Sequence, residues 1–137
     1  MVGARQAGRD AYIDELQREA ARLGVTDALV LSEPTTEIAR AYAASDLVLQ
    51  LSRKPEAFGR TVLEALSVGR PVLGWAHGGV GELLARWQPQ GAVLPFDEDA
   101  LLHRAHALMA QPPPPVTMPD GLRTMQQATL SLYEQLA

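Results

Sequence analysis

Apolar and polar positions change period several times along this chain, and each change marks the edge of a short element. Over residues 10–23, Ile13, Leu16, Ala20 and Leu23 recur at helical spacing and predict one inward face, with Gly24 placed to stop the helix. Residues 28–31 (ALVL) are apolar throughout, as in a parallel strand covered on both faces. Helical spacing returns over 36–44, with Ile38, Ala41 and Tyr42 inward, and 47–51 (LVLQL) predicts the next strand. A helix follows over 60–68 with Val62, Leu63 and Leu66 inward, ended by Gly69 and Pro71. A strand at 71–74, a short helix at 80–87, a strand at 92–94 and a helix at 98–110 complete the series, the last opened by Asp97 as its cap.

Strands alternating with helices at these intervals specify βαβ units. The fold class expected is therefore α/β, a Rossmann-like parallel sheet with helices on both faces. Such sheets bind ligands at the carboxyl ends of their strands, which directs attention to the loops SEPTT, SRKPEAF and WAHGG. One domain is expected over 1–111. Residues 112–120 read as a Pro-rich linker, stiffened by the four prolines at 112–115. Beyond them, Leu122, Met125, Thr129, Leu132 and Leu136 form a stripe at helical spacing over 121–137 and predict a helix packing back on the fold or on a neighbour. Val2 and Gly3 resemble the last residues of a strand, so the first strand of the sheet is expected to be missing or truncated.

Composition narrows the function classes. The 137 residues are 47 % hydrophobic and 20 % charged, a globular balance. A net charge of −4 with no basic cluster speaks against a nucleic-acid partner. The absence of cysteine removes disulfides, thiolate catalysis and Cys-ligated zinc. No apolar run reaches the roughly 20 residues that span a bilayer, and the opening MVGARQAGRDAY has no signal-peptide core, so a cytoplasmic location is expected.

Chemistry concentrates in one stretch, Pro55-Glu56-Ala57-Phe58-Gly59-Arg60-Thr61-Val62-Leu63-Glu64. Two glutamates stand with seven residues between them, one in a loop and one on the following helix. A carboxylate accepts hydrogen bonds from two vicinal hydroxyls, as on a ribose or hexose. Amides at the helix start, near Gly59 and Arg60, would hold a diphosphate with the help of the helix dipole. Other clusters are weaker. Asp97-Glu98-Asp99 imitates a D-x-D metal motif but sits where acidic residues cap a helix. Asp99, His103 and His106 share a helix face at metal-ligand spacing, without a Cys or fourth ligand nearby. Trp75 and Trp87 read as core or edge residues. His77 reads first as a polar loop residue, with a ligand contact as the alternative, and Gly78-Gly79 as a strand-to-helix turn that is compatible with one.

These residues resemble the E-x7-E signature of retaining GT-B glycosyltransferases of family 4, the group 1 glycosyltransferases. The likeness continues in family order. Ala43-Ala44-Ser45-Asp46 resembles "aaaD", Leu51-Ser52 "pS", Gly69-Arg70-Pro71-Val72 "GlPV", Gly78-Gly79-Val80-Gly81-Glu82 "GGipE" and Gly91-Ala92-Val93-Leu94-Pro95 "GlLvp". Leu132-Tyr133-Glu134-Gln135-Leu136 is similar to "lY.ell". The resemblance implies the C-terminal, donor-binding domain of such an enzyme, moving a hexose with retention from a nucleotide-diphosphate sugar to a glycan or lipid-linked acceptor. Glu56 would act on the donor sugar's hydroxyls as the catalytic-site carboxylate. Backbone of Ala57, Phe58 and Gly59 would touch sugar and phosphate, Glu64 would hold the ribose, and main chain at Ser32, Glu33 and Pro34 would face the base. Arg60, where the family more often has an apolar residue, would add charge toward the phosphates.

The same resemblance implies no cofactor and no metal in the transition state. It also implies that the acceptor-binding N-terminal domain and an Arg/Lys diphosphate clamp lie outside this sequence, so the chain alone is expected to be inactive. A lipid-linked acceptor would bring the full enzyme to a membrane surface, and an uncovered sheet edge would favour self-association. A non-catalytic nucleotide-sugar-binding module, a subunit of a split glycosyltransferase and an inactive remnant are the alternatives, together with an epimerase fragment, against which the paired glutamates argue.

Overall fold

The computed structural model describes residues 1, 3–5, 8–117, 127 and 131. The chain divides into two compact units, Met1–Ala41 and Tyr42–Ala137. The predicted helix over 121–137 lies outside the described residues apart from Gln127 and Ser131.

In the first unit, α1 (Asp10–Arg22) buries Ile13 and Ala20, as its spacing predicts. Leu23 was expected on the same face, yet it is exposed, because the helix stops at Arg22 and Gly24 turns the chain at φ 69°. The run at 28–31 also departs from expectation. Thr26–Ala28 is a 3₁₀ turn, no strand is assigned to 29–35, and Val30 is 71 % exposed. Residues 30–33 instead exchange backbone hydrogen bonds with the N-terminal stretch: Met1 N donates to Val30 O, Ser32 N to Met1 O, Gly3 N to Glu33 O and Arg5 N to Ser32 O. The helix expected at 36–44 is the shorter α2 (Ile38–Ala43), with Ile38, Ala41 and Tyr42 half-buried.

The second unit carries the parallel sheet. Its strands β1 (Val48–Gln50), β2 (Val72–Trp75) and β3 (Ala92–Val93) lie in the order β1-β2-β3. Val48 pairs with Val72 and Leu49 with Leu73, while Trp75 pairs with Val93. Every residue of β2 is buried, as expected of a central strand covered on both faces. On one face, Val48 and Val72 meet Val62, Ala65 and Leu66 of α3 (Arg60–Ser67) and Val80 and Leu84 of α4 (Gly78–Trp87). On the other, Leu73, Trp75 and Val93 meet Leu108 of α5 (Glu98–Ala110). Leu49 points to the α5 side but remains 54 % exposed, so cover on that side is fuller over β2 than over β1.

Two details hold the frame tight. The Gln88 side chain, 1 % exposed, donates to Val72 O at 3.0 Å and accepts from Val72 N at 2.9 Å, extending the ladder beside β2 with a side-chain amide. The prolines at 112–115 are not free of the fold: Pro115 approaches Gly69, and Val116 packs on the core of the second unit.

Candidate functional site

The carboxyl ends of β1 and β2 each run through a short loop into a helix, α3 and α4. Gly59 caps α3 at φ 74°, and a Cβ placed there would stand 3.0 Å from Val80 N and 3.1 Å from the Gly79 carbonyl carbon. The cap of one helix therefore touches the first turn of the other. Gly79 completes the contact: its amide donates to Glu56 O at 2.8 Å, and its own Cβ would fall 2.7 Å from Ala57 O. Two helix N-termini thus converge where parallel sheets bind ligands. Neither has an acidic residue in its first turn, so the positive ends of both dipoles stand unneutralised. The first ladder bond of α3 is from Val62 N to Gly59 O, which leaves the amides of Arg60 and Thr61 ahead of the ladder.

Glu56 is half-buried in the loop between β1 and α3. Its Oε1 accepts from Gln50 Nε2 and, at 2.8 Å, from Ser52 Oγ. Among the described residues nothing donates to Oε2, so the carboxylate is oriented by one oxygen and open at the other. Glu64 lies one turn into α3. Tyr42 donates its hydroxyl to Glu64 Oε2 at 3.2 Å, and Arg60 Nε reaches Oε1 at 3.3 Å. Burial raises the Tyr42 phenol above its ordinary range, a bond with Thr61 opposes that, and the neighbouring Glu64 carboxylate adds to it. Phe58 and the Arg60 side chain are largely exposed, as is Ala57.

His77 ends the β2 loop. Its Nε2 lies 3.1 Å from Ser52 O, and since a carbonyl only accepts, the proton sits on Nε2. Gly78, at φ 55°, has no room for a side chain, because a Cβ would lie 2.5 Å from Glu56 O. The glycine pair is thus explained by close packing against Glu56–Phe58 backbone, and Gly79's amide is already committed there.

Ser32, Glu33 and Pro34 belong to the first unit, whereas Glu56–Glu64 and His77–Gly79 belong to the second. Within their own unit, Ser32 N, Ser32 O and Glu33 O are taken by the N-terminal stretch, leaving less main chain for a ligand than the sequence suggested. The Asp97 carboxylate accepts from Ala100 N at 2.9 Å and caps α5, so the D-x-D likeness is a helix start. Tyr42 and Gln50 had not been singled out as partners of the two glutamates. Gln50 alone offered a signal, as a polar residue within an otherwise apolar strand.

The sequence matches the group 1 glycosyl transferases over residues 4–120. Solved structures of Anabaena HepE are similar. The complex with UDP-glucose is 29 % identical, covers 75 % of this chain and 28 % of that one, and superposes with a TM-score of 0.67. The complex with UDP is 28 % identical over 77 % and 29 % of the two chains (TM-score 0.68). The complex with UDP and glucose is 29 % identical over the same shares (TM-score 0.69). The chain therefore spans less than a third of HepE's length. No curated protein gives a significant match.

Proposed function

We propose, of a chain that belongs to the group 1 glycosyl transferases, that it forms the donor-binding part of a retaining family 4 enzyme and holds a nucleotide-diphosphate hexose. The observation that carries this reading is the meeting of the α3 and α4 N-termini beside Glu56, with Glu64 one turn further on. Converging amides and dipoles stabilise the diphosphate, above all as it departs with the electron pair of the broken sugar C1–O bond and so gains negative charge. Glu64, held by Tyr42, accepts the ribose hydroxyls. Glu56 turns Oε2 to the hydroxyls of the hexose. Arg60 places a guanidinium at the phosphate end of α3, and His77 lines the sugar. UDP is the first nucleotide to try, since HepE is solved with UDP and UDP-glucose.

The chemistry needs no metal in this reading, because helix amides do the work a divalent cation would do. Transfer to a glycan or lipid-linked acceptor is expected only with an acceptor-binding half present. The location proposed is cytoplasmic, with the complete enzyme working at a membrane surface when its acceptor is lipid-linked; among the described residues no helix is long and apolar enough to cross a membrane.

An NMR titration with UDP, GDP and ADP tests the proposal, with Glu64→Ala as control. Saturable shifts around residues 56–64 and 77–80 for one nucleotide, weakened in the variant, are expected. A folded wild-type chain that responds to none of the three would overturn the reading.

A further inference from the structure

Phe96 is the one non-glycine residue with positive φ among those described, at 68°. That region is crowded for a bulky L side chain, and a glycine would make the same turn without strain. What distinguishes phenylalanine here is what its ring meets. The ring stands just beyond β3 and is held by the last residue of β2 and by the loops after β1 and β2. Trp75 packs against it at 5.9 Å between centroids and 51° between planes. His77 meets it edge-on at 6.5 Å and 87°. The Arg53 guanidinium carbon lies 6.0 Å from its centroid, over the ring. Phe96 nevertheless stays 56 % exposed. A strained backbone thus keeps an aromatic ring in solvent, at the end of the sheet where ligands bind.

The ring is also linked to the carboxylate assigned to the donor sugar. His77 touches Phe96 and, through Nε2, Ser52 O, and Ser52 Oγ in turn donates to Glu56 Oε1. A hexose is amphipathic: its ring C–H groups form apolar faces and its hydroxyls form a polar rim. An exposed aromatic ring bordered by guanidinium and imidazole suits such a ligand, the ring for the face and the polar neighbours for the rim.

Resting on the donor-site reading above, we propose that Phe96 is the apolar wall of the hexose subsite and a determinant of sugar specificity. Its ring packs on the C–H face of the donor hexose while Glu56 takes hydroxyls, and Arg53 and His77 hold the ring in place. The nucleotide lies elsewhere and does not depend on Phe96.

Dissociation constants for UDP and for UDP-glucose, measured on the wild-type chain and on Phe96→Ala, Phe96→Gly and Phe96→Tyr, test this. Phe96→Gly suits the backbone, so a folded variant lacking the ring is at hand even if Phe96→Ala is unstable. UDP affinity is expected to stay within about twofold, while UDP-glucose weakens about tenfold in the ring-less variants and stays near wild type in Phe96→Tyr. Equal changes for both ligands, or none for either, would show that the ring only covers Trp75 and would overturn the inference while leaving the donor site standing. A wild-type chain that binds neither ligand overturns the donor reading, and this inference with it.

Discussion

At the scale of single residues, the two glutamates differ in how they are held. Glu56 is oriented by neighbours on its own strand and loop, Gln50 and Ser52, whereas Glu64 depends on Tyr42, 22 positions away in the chain. Tyr42→Phe removes that bond and is expected to cost about 1 kcal/mol of stability at neutral pH, measured by urea unfolding. It should also weaken nucleotide binding several-fold by freeing Glu64. The raised Tyr42 pKa gives a second readout. Its folded value lies above the ordinary 10.0, so between the two the native state holds a proton that the unfolded chain has released. Stability from this group is fully present below about pH 10 and declines as pH rises through the folded value. A wild-type chain whose alkaline decline matched that of Tyr42→Phe would contradict this. The E-x7-E spacing was legible because loop and helix positions eight apart need no tertiary information. The Tyr42 contact was not, since it forms only when the α2 end meets α3.

Among the elements, the helix starts carry the site and the packing between them is backbone on backbone. Gly79→Ala would place a Cβ 2.7 Å from Ala57 O, against main chain that has nowhere to move. It is expected to cost about 1–3 kcal/mol and to lower nucleotide affinity, read by thermal unfolding and titration together. Gln88 offers a test remote from the ligand. Gln88→Leu keeps the bulk but strands both Val72 backbone groups, an expected loss of about 2–4 kcal/mol with the site's chemistry otherwise intact. An unchanged unfolding midpoint would mean that water or a shifted backbone satisfies Val72. Element types were legible over 47–110 because apolar periodicity there agrees with the capping signals: Asp97 before α5, Gly69 after α3. Gln88 was not, because a glutamine near the end of an amphipathic helix reads as solvent-facing until the sheet beside it is known.

On the scale of the whole molecule, large apolar side chains remain in water: Val30 and Leu94 are each 71 % exposed and Leu49 is 54 % exposed. Exposed apolar side chains of this kind favour association, so light scattering is expected to show a mass that rises with concentration. A mass equal to 14.8 kDa across the range would refute it. The chain divides into two compact units after Ala41. The sequence offers no composition break there; the division reflects where contacts concentrate, and contacts are not a local property.

The sequence by itself determined the alternation of strand and helix, the parallel sheet of the second unit, and the segment that bears the glutamates. Each follows from local rules: side-chain period, capping chemistry, and the glycine that opens α3. Tertiary structure alone decided that the α3 cap rests on α4, that Tyr42 and Gln50 hold the two carboxylates, and that Phe96 meets the end of β2 and the loops after β1 and β2. It also decided that 28–31 is not a strand covered on both faces, although its four apolar residues admit nothing more polar. The reason is common to all of these. A residue's period is written in its neighbours in sequence, but its partners are set by whichever surfaces the folded chain brings within a few ångströms.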